Sequence, residues 1–101
     1  MEKVNSIIPG EFALAQNYPN PFNPETKIQY SIPVQTNVEL GIYNILGQKV
    51  TTLVSGVQTA GNYGITWNGK DNSGRSVASG VYFYQLRAGN NEIVKKMMLM
   101  K

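Results

Sequence analysis

The chain has 101 residues and a formal net charge of +3, with 42% hydrophobic and 15% charged residues, a balance that supports one folded domain with a single core. It contains no cysteine and no histidine, which excludes a disulfide framework, a thiolate zinc site, a cysteine nucleophile and imidazole-based acid–base or metal chemistry. The charge is too small and too scattered to indicate nucleic acid as a partner, and no apolar run approaches the ~20 residues of a membrane-spanning helix.

Residues 1–10 show no sustained period, and Pro9-Gly10 breaks any element there. They read as a linker end or an added remnant, with residues 11–101 as the domain. No secretory apolar region opens the chain, so an export signal is expected on a longer precursor. Phe12 to Ala15 reads as a short first strand. Asn17 to Pro24 interleaves Pro19, Pro21 and Pro24 with asparagines. Proline fixes φ and removes a donor, so this segment is expected as a rigid, polyproline-like crossing with Tyr18 and Phe22 as pegs into the core.

Thr26 to Ile32 alternates, with Ile28, Tyr30 and Ile32 on one face, as a half-buried strand does before Pro33 ends it. Val38, Leu40 and Ile42 repeat the pattern. Asn44 to Gly47 is a turn. Residues 48–54 form a strand with Val50 and Leu53 inward, and residues 55–62 a loop. The stretch from Ile65 to Leu86 organises the rest. It reads as a strand ending at Trp67, a turn-rich connection through Gly69 and Gly74, and a strand over residues 80–87. It holds the single tryptophan, so the densest part of the core is placed here. Gly89 to Asn91 is a hairpin turn. The last strand, from Ile93 to Met100, has Ile93, Met97 and Leu99 inward and Lys96 and Met98 outward. Lys95, Lys96 and Lys101 mark it as a solvated edge that discourages pairing. Short strands with turn signals every 8–12 residues give an all-β fold: an immunoglobulin-like antiparallel β-sandwich of about seven strands, without the Cys-Trp-Cys framework of antibody domains.

Little in the sequence carries chemistry. The six acidic residues are spread singly, and nothing pairs two carboxylates across a cleft. No catalytic, cofactor-binding or metal-binding residue is expected, and the chain reads as a non-enzyme. Asp71-Asn72-Ser73-Gly74 offers oxygens to Ca²⁺, but one carboxylate is little charge for it, and the segment reads as an Asx-capped turn. Tyr18, Tyr43, Tyr63, Tyr82 and Tyr84 would stack sugars if they lined one open face; strand aromatics are more often core.

Four stretches together resemble a known family: LAQNYPNPFNPETKIQYSIP (14–33), VELGIYNILGQKVTTLV (38–54), ITWNGKDNSGRSVASGVYFYQLRAG (65–89) and VKKMMLMK (94–101). The chain looks like the type A C-terminal sorting domain of the type IX secretion system, with a further likeness to the immunoglobulin-like module of flagellar hook-capping proteins. The resemblance covers residues 9–101. It departs at Asn68, where an acidic residue is common after the tryptophan. It implies the last module of an exported protein, with an N-terminal cargo domain on the same precursor. The type IX outer-membrane translocon and a sortase would be its partners. Localisation would be periplasmic in transit, then at the cell surface or outside the cell. By motif position the resemblance points to Gly80, Val81, Tyr82, Lys96, Met97, Leu99 and Lys101 as the recognition residues. The other readings are a carbohydrate-binding module or a structural spacer of a secreted multidomain protein.

Overall fold

The computed structural model describes residues 10–101 and, nearer the start, the backbone of residues 2–5. The described residues form eight strands and no helix. These are β1 (Glu2–Asn5), β2 (Ala13–Leu14), β3 (Thr26–Ile32), β4 (Thr36–Tyr43), β5 (Lys49–Gln58), β6 (Gly61–Trp67), β7 (Gly80–Ala88) and β8 (Asn91–Leu99). They build two antiparallel four-stranded sheets, ordered β1-β6-β3-β2 and β5-β4-β7-β8. The chain is thus the all-β, immunoglobulin-like sandwich its alternation predicts. The backbone of β1, within the stretch read as a linker end, pairs with β6.

The period-2 strands behave as their patterns require. Ile28, Tyr30 and Ile32 of β3 face Val38, Leu40 and Ile42 of β4 across the core, and all six are buried. Trp67 closes β6 against Phe22 and Tyr82, with ring centroids 5.7 and 5.5 Å away. Its indole Nε1 donates to the Lys70 carbonyl at 3.0 Å, so the ring is buried without an orphaned donor. Met97 and Leu99 of β8 are buried while Lys96 and Met98 face out, as expected.

Four expectations need correction, in whole or in part. In β5 the buried residues are Thr51, Val54 and Gln58; Val50 and Leu53 are half-buried and do pack against the core, but out of a single period-2 phase. The pairing with β4 slips twice, once on each side of the Gly41–Ile42 pairs, which leaves Val50 and Leu53 as extra residues. Each bulge shifts the phase by one and defeats a period-2 reading. The loop expected over 55–62 is mostly strand: β5 runs to Gln58 and β6 starts at Gly61. Finally, Tyr18 is 81% exposed. The inward peg beside Phe22 is Asn17, whose amide donates to Thr26 Oγ1 at 2.9 Å and to the Pro19 carbonyl at 3.2 Å. Prolines lack N–H groups, so the carbonyls around them need side-chain donors, and that need outweighs burial of the Tyr18 ring. The segment holds cis bonds at Tyr18–Pro19, Asn20–Pro21 and Asn23–Pro24 and is not a polyproline helix.

Candidate recognition site

One end of the sandwich gathers the distinctive sequences. The β4–β5 turn, the 68–79 connection, the start of β7, the end of β8 and the Asn-Pro segment all lie there. Antiparallel pairing requires this, because Tyr43 pairs with both Lys49 and Phe83, Thr26 with Trp67, and Gly80 with Leu99.

The proposed recognition residues meet in register. Gly80 pairs with Leu99, Val81 with Met98 and Tyr82 with Met97, and Phe83 lies opposite Lys96. Their exposure divides them. Tyr82, Met97 and Leu99 are buried, so in the folded domain they hold the strand in place and present nothing to a partner. Gly80 has φ +148°, a region side-chain-bearing residues rarely adopt. Val81 is half-buried, and Lys96 and Lys101 are exposed. The outward side chains along this part of β7 and β8 are therefore Val81, Lys96, Met98, Met100 and Lys101.

The outer edge of β8 is not the solvated edge expected from its lysines. The Asn-Pro segment lies along it as a strap. Gln16 Nε2 donates to the Lys96 carbonyl at 2.8 Å, and the Met98 amide donates to Asn20 Oδ1 at 3.0 Å. The Phe22 amide donates to the Met98 carbonyl at 3.0 Å, and the Met100 amide to the Phe22 carbonyl at 2.9 Å. Lys101 N–H reaches Ser79 Oγ at 3.1 Å. Strand addition on β8 from Lys96 to Met100 is thus already satisfied by the chain itself. Below the strap, the Tyr84 hydroxyl accepts from the Asn17 amide at 2.8 Å and donates to the Ala15 carbonyl at 2.7 Å. Burial raises the pKa of that phenol, so it stays a donor through the neutral range. Gln16, Asn17 and Asn20 went unrecognised in the sequence; the signal was asparagine spaced between prolines, a pattern of side chains serving backbone groups.

The neighbouring turns are also tied down. Asn44 Oδ1 accepts from the Leu46 and Gln48 amides, each at 3.0 Å, and its amide donates to Gln48 Oε1 at 2.9 Å. This turn holds Ile45 and Leu46 outward, 72% and 80% exposed. Asp71 Oδ1 accepts from the amides of Ser73 and Arg75 and from Ser73 Oγ, at 2.9 to 3.0 Å. The Arg75 amide, then the Ser73 groups, lower the pKa of that carboxyl despite its partial desolvation. The segment is the Asx-capped turn its sequence indicates, and Asn72 Oδ1 is engaged by Thr51 Oγ1 at 2.8 Å. Among the described residues no cluster of three or more acidic, histidine or cysteine groups could hold a metal ion. The tyrosines do not form a sugar-stacking face. Tyr63, Tyr82 and Tyr84 are buried, Tyr18 stands alone on the strap, and the Tyr43 ring folds over Gly41, within 3.1 Å of where a Cβ would sit.

The comparisons with known proteins agree with this architecture. Residues 24–92 match the family described as the FlgD Ig-like domain. FlgD from P. aeruginosa shares 26% identity at a TM-score of 0.57, over 73% of this chain and 58% of that one. Dimeric latent PorU from Porphyromonas gingivalis gives a TM-score of 0.71 at 19% identity, over 96% of this chain and 10% of that one. PorZ from the same organism, an essential bacterial surface component of the type IX secretion system, gives 0.60 at 20% identity, over 89% and 11%. At such identities PorU and PorZ speak for the fold alone. No curated protein matches the sequence. The chain thus spans 58% of the P. aeruginosa FlgD structure and about a tenth of PorU or PorZ. With the match running from Pro24, at the end of the Asn-Pro segment, to Glu92, at the start of β8, well over half its length, the chain belongs to the FlgD Ig-like domain family.

Proposed function

We propose that this domain is a non-catalytic C-terminal sorting module that takes an exported cargo across the outer membrane through the type IX secretion system. The observation that carries this reading is the convergence of its motif stretches on one strand. The Asn-Pro strap and the start of β7 fasten β8, Trp67 packs on Phe22 of the strap and Tyr82 of β7, and the outward residues left around it are half-buried Val81 and exposed Lys96, Met98, Met100 and Lys101. A sorting module needs a rigid, recognisable terminus and no reacting groups. The sandwich neighbours PorU and PorZ, the latter a component of that secretion system, are in keeping with it. The partners would be the outer-membrane translocon and sortase components, with localisation at the cell surface or outside the cell after periplasmic transit.

The test is a reporter fused to residues 9–101 in a host competent for type IX secretion. The reporter should reach the surface. A folded, protease-resistant fusion retained in the periplasm overturns the reading. A second reading, a structural module of the hook-capping kind, is favoured by the family match and by the P. aeruginosa FlgD likeness. A gene set among flagellar genes would select it; a multidomain exported product would select the first.

A further inference from the structure

The outer face of the sheet β5-β4-β7-β8 is patterned in cross-strand rows. One row runs Lys96, Phe83, Tyr43, Lys49, since Phe83 pairs with both Lys96 and Tyr43, and Tyr43 with Lys49. Two residues further along each ladder comes a row of Val94, Gln85 and Gly41. Two further still comes Glu92, Arg87 and Glu39. A cationic, aromatic row and a row with two carboxylates thus flank an uncharged middle. The exposed apolar residues follow the same division: Ile45 and Leu46 lie beyond the first row, and Val57, 67% exposed, lies beyond the third.

We infer that this face docks a second copy of the same chain. A two-fold axis lying in the plane of the face, along the middle row, keeps each strand over its own copy and reverses its direction. It sets Lys96 against Glu92 of the other copy and Glu92 against its Lys96. It sets the Phe83 ring against the other Arg87, a cation–π arrangement. Ile45 and Leu46 then approach the other copy's Val57. Lys96 and Glu92, Phe83 and Arg87, and Ile45–Leu46 and Val57 thus meet at symmetry-related places, as an isologous interface requires, while Lys49 pairs with Glu39 within the chain and Arg87 lies 3.4 Å from its own Glu92. Among the described residues no ion pair within one chain reaches the Lys96 ammonium. Aligned sheets cross at about 30°, so the fit is tightest near the centre. Four strands ~4.8 Å apart and about nine residues long give a face of roughly 19 by 30 Å. That is about 570 Å², roughly 70% of the ~800 Å² per partner of a standard interface, so the dimer is weak and reversible. The proposal shares Lys96 with the sorting reading but does not rest on it.

Sedimentation equilibrium of the whole chain, from micromolar to millimolar concentration, tests it with E92K, K96E and the double variant E92K/K96E. The parent should dimerise. Each single reversal should weaken the dimer roughly tenfold or more, because symmetry makes each act twice. The double variant should restore association, since opposite charges again face each other. Circular dichroism confirms that each variant is folded; Lys96 and Glu92 are exposed, and neither packs in the core. A parent that stays monomeric at millimolar concentration overturns the proposal. So do single variants that dimerise like the parent, or a double variant no better than the singles.

Discussion

The two edges of the sheet β5-β4-β7-β8 are closed by different means. At β8 the chain supplies its own covering: the Asn-Pro strap meets the backbone of Lys96, Met98 and Met100, and Phe22 anchors it in the core. Along β5 no strap lies among the described residues. The extra residues Val50 and Leu53 bend the strand, and Asn72 meets it at two points, its amide donating to the Val50 carbonyl at 3.2 Å and its Oδ1 accepting from Thr51 Oγ1 at 2.8 Å. Bulges blunt an edge cheaply, by spoiling its flatness. A strap costs the ordering of several residues and must recover it through packing and hydrogen bonds. The costlier device stands beside β8, which places the need for a fixed geometry there.

The largest test of the contrast is the anchor. Phe22→Ala removes a buried ring from against Trp67 and should cost about 3–5 kcal/mol in chemical denaturation. Leu53→Ala, at the half-buried bulge of the opposite edge, should cost about 1–2 kcal/mol. Equal losses would show that the strap is no better anchored than the bulge. Next in size is Tyr84→Phe. It deprives the Asn17 amide and the Ala15 carbonyl of their buried partner while keeping the ring, a loss of about 1–3 kcal/mol. A denaturation midpoint equal to the parent's would mean that the hydroxyl does not fasten the strap.

Much of the contrast was invisible in the sequence, and the reasons are physical. Strands β3 and β4 were legible because both alternate without interruption and bury one face. The last strand was legible in phase, with Met97 and Leu99 inward. Strand β5 was not: bulges at Val50 and Leu53 reset the period in its first half, and Gly56 makes its second half read as loop. The strap was legible as rigid but not as a strap. Its partners are carbonyls and amides some 80 positions away, and backbone groups leave no mark in a side-chain pattern. The site was legible only as scattered motifs; strand register is what brings Gly80 to Leu99 and Tyr82 to Met97.

A smaller effect separates the edges by exchange and not by stability. Asn20→Ala removes the acceptor of the Met98 amide at an exposed position where water can replace it, so the cost should stay near about 0.5–1 kcal/mol. Hydrogen exchange should nevertheless quicken at Met98 and leave the amides of β5 paired with β4 unchanged. Uniform quickening across both strands would mean that the strap acts on the whole sheet and not on its own edge.

The smallest expected effect lies on the β5 side, at the ion pair of Lys49 and Glu39, two residues on paired strands that are each about a third exposed. The hydrogen bond from Lys49, and then its charge, hold the Glu39 carboxyl below its usual range; the same bond holds the Lys49 ammonium above its own. The signs of the two shifts define a window. A lowered carboxyl pKa contributes stability that is present above its unfolded value, about 4.3, and is lost as pH falls through the folded one. A raised ammonium pKa contributes stability that is present below about 10.4 and is lost as pH rises through the folded value. Both groups meet water, so the pair should be worth less than about 0.5 kcal/mol and should weaken with salt. Glu39→Gln should therefore lower the denaturation midpoint slightly at neutral pH and low salt. The difference from the parent should vanish in acid, once the parent's carboxyl is protonated, and it should shrink at high salt. A difference that persists undiminished in acid would assign the role of Glu39 to packing over the sheet rather than to its charge. The β5 edge would then be held, like the β8 edge, by contacts that do not titrate.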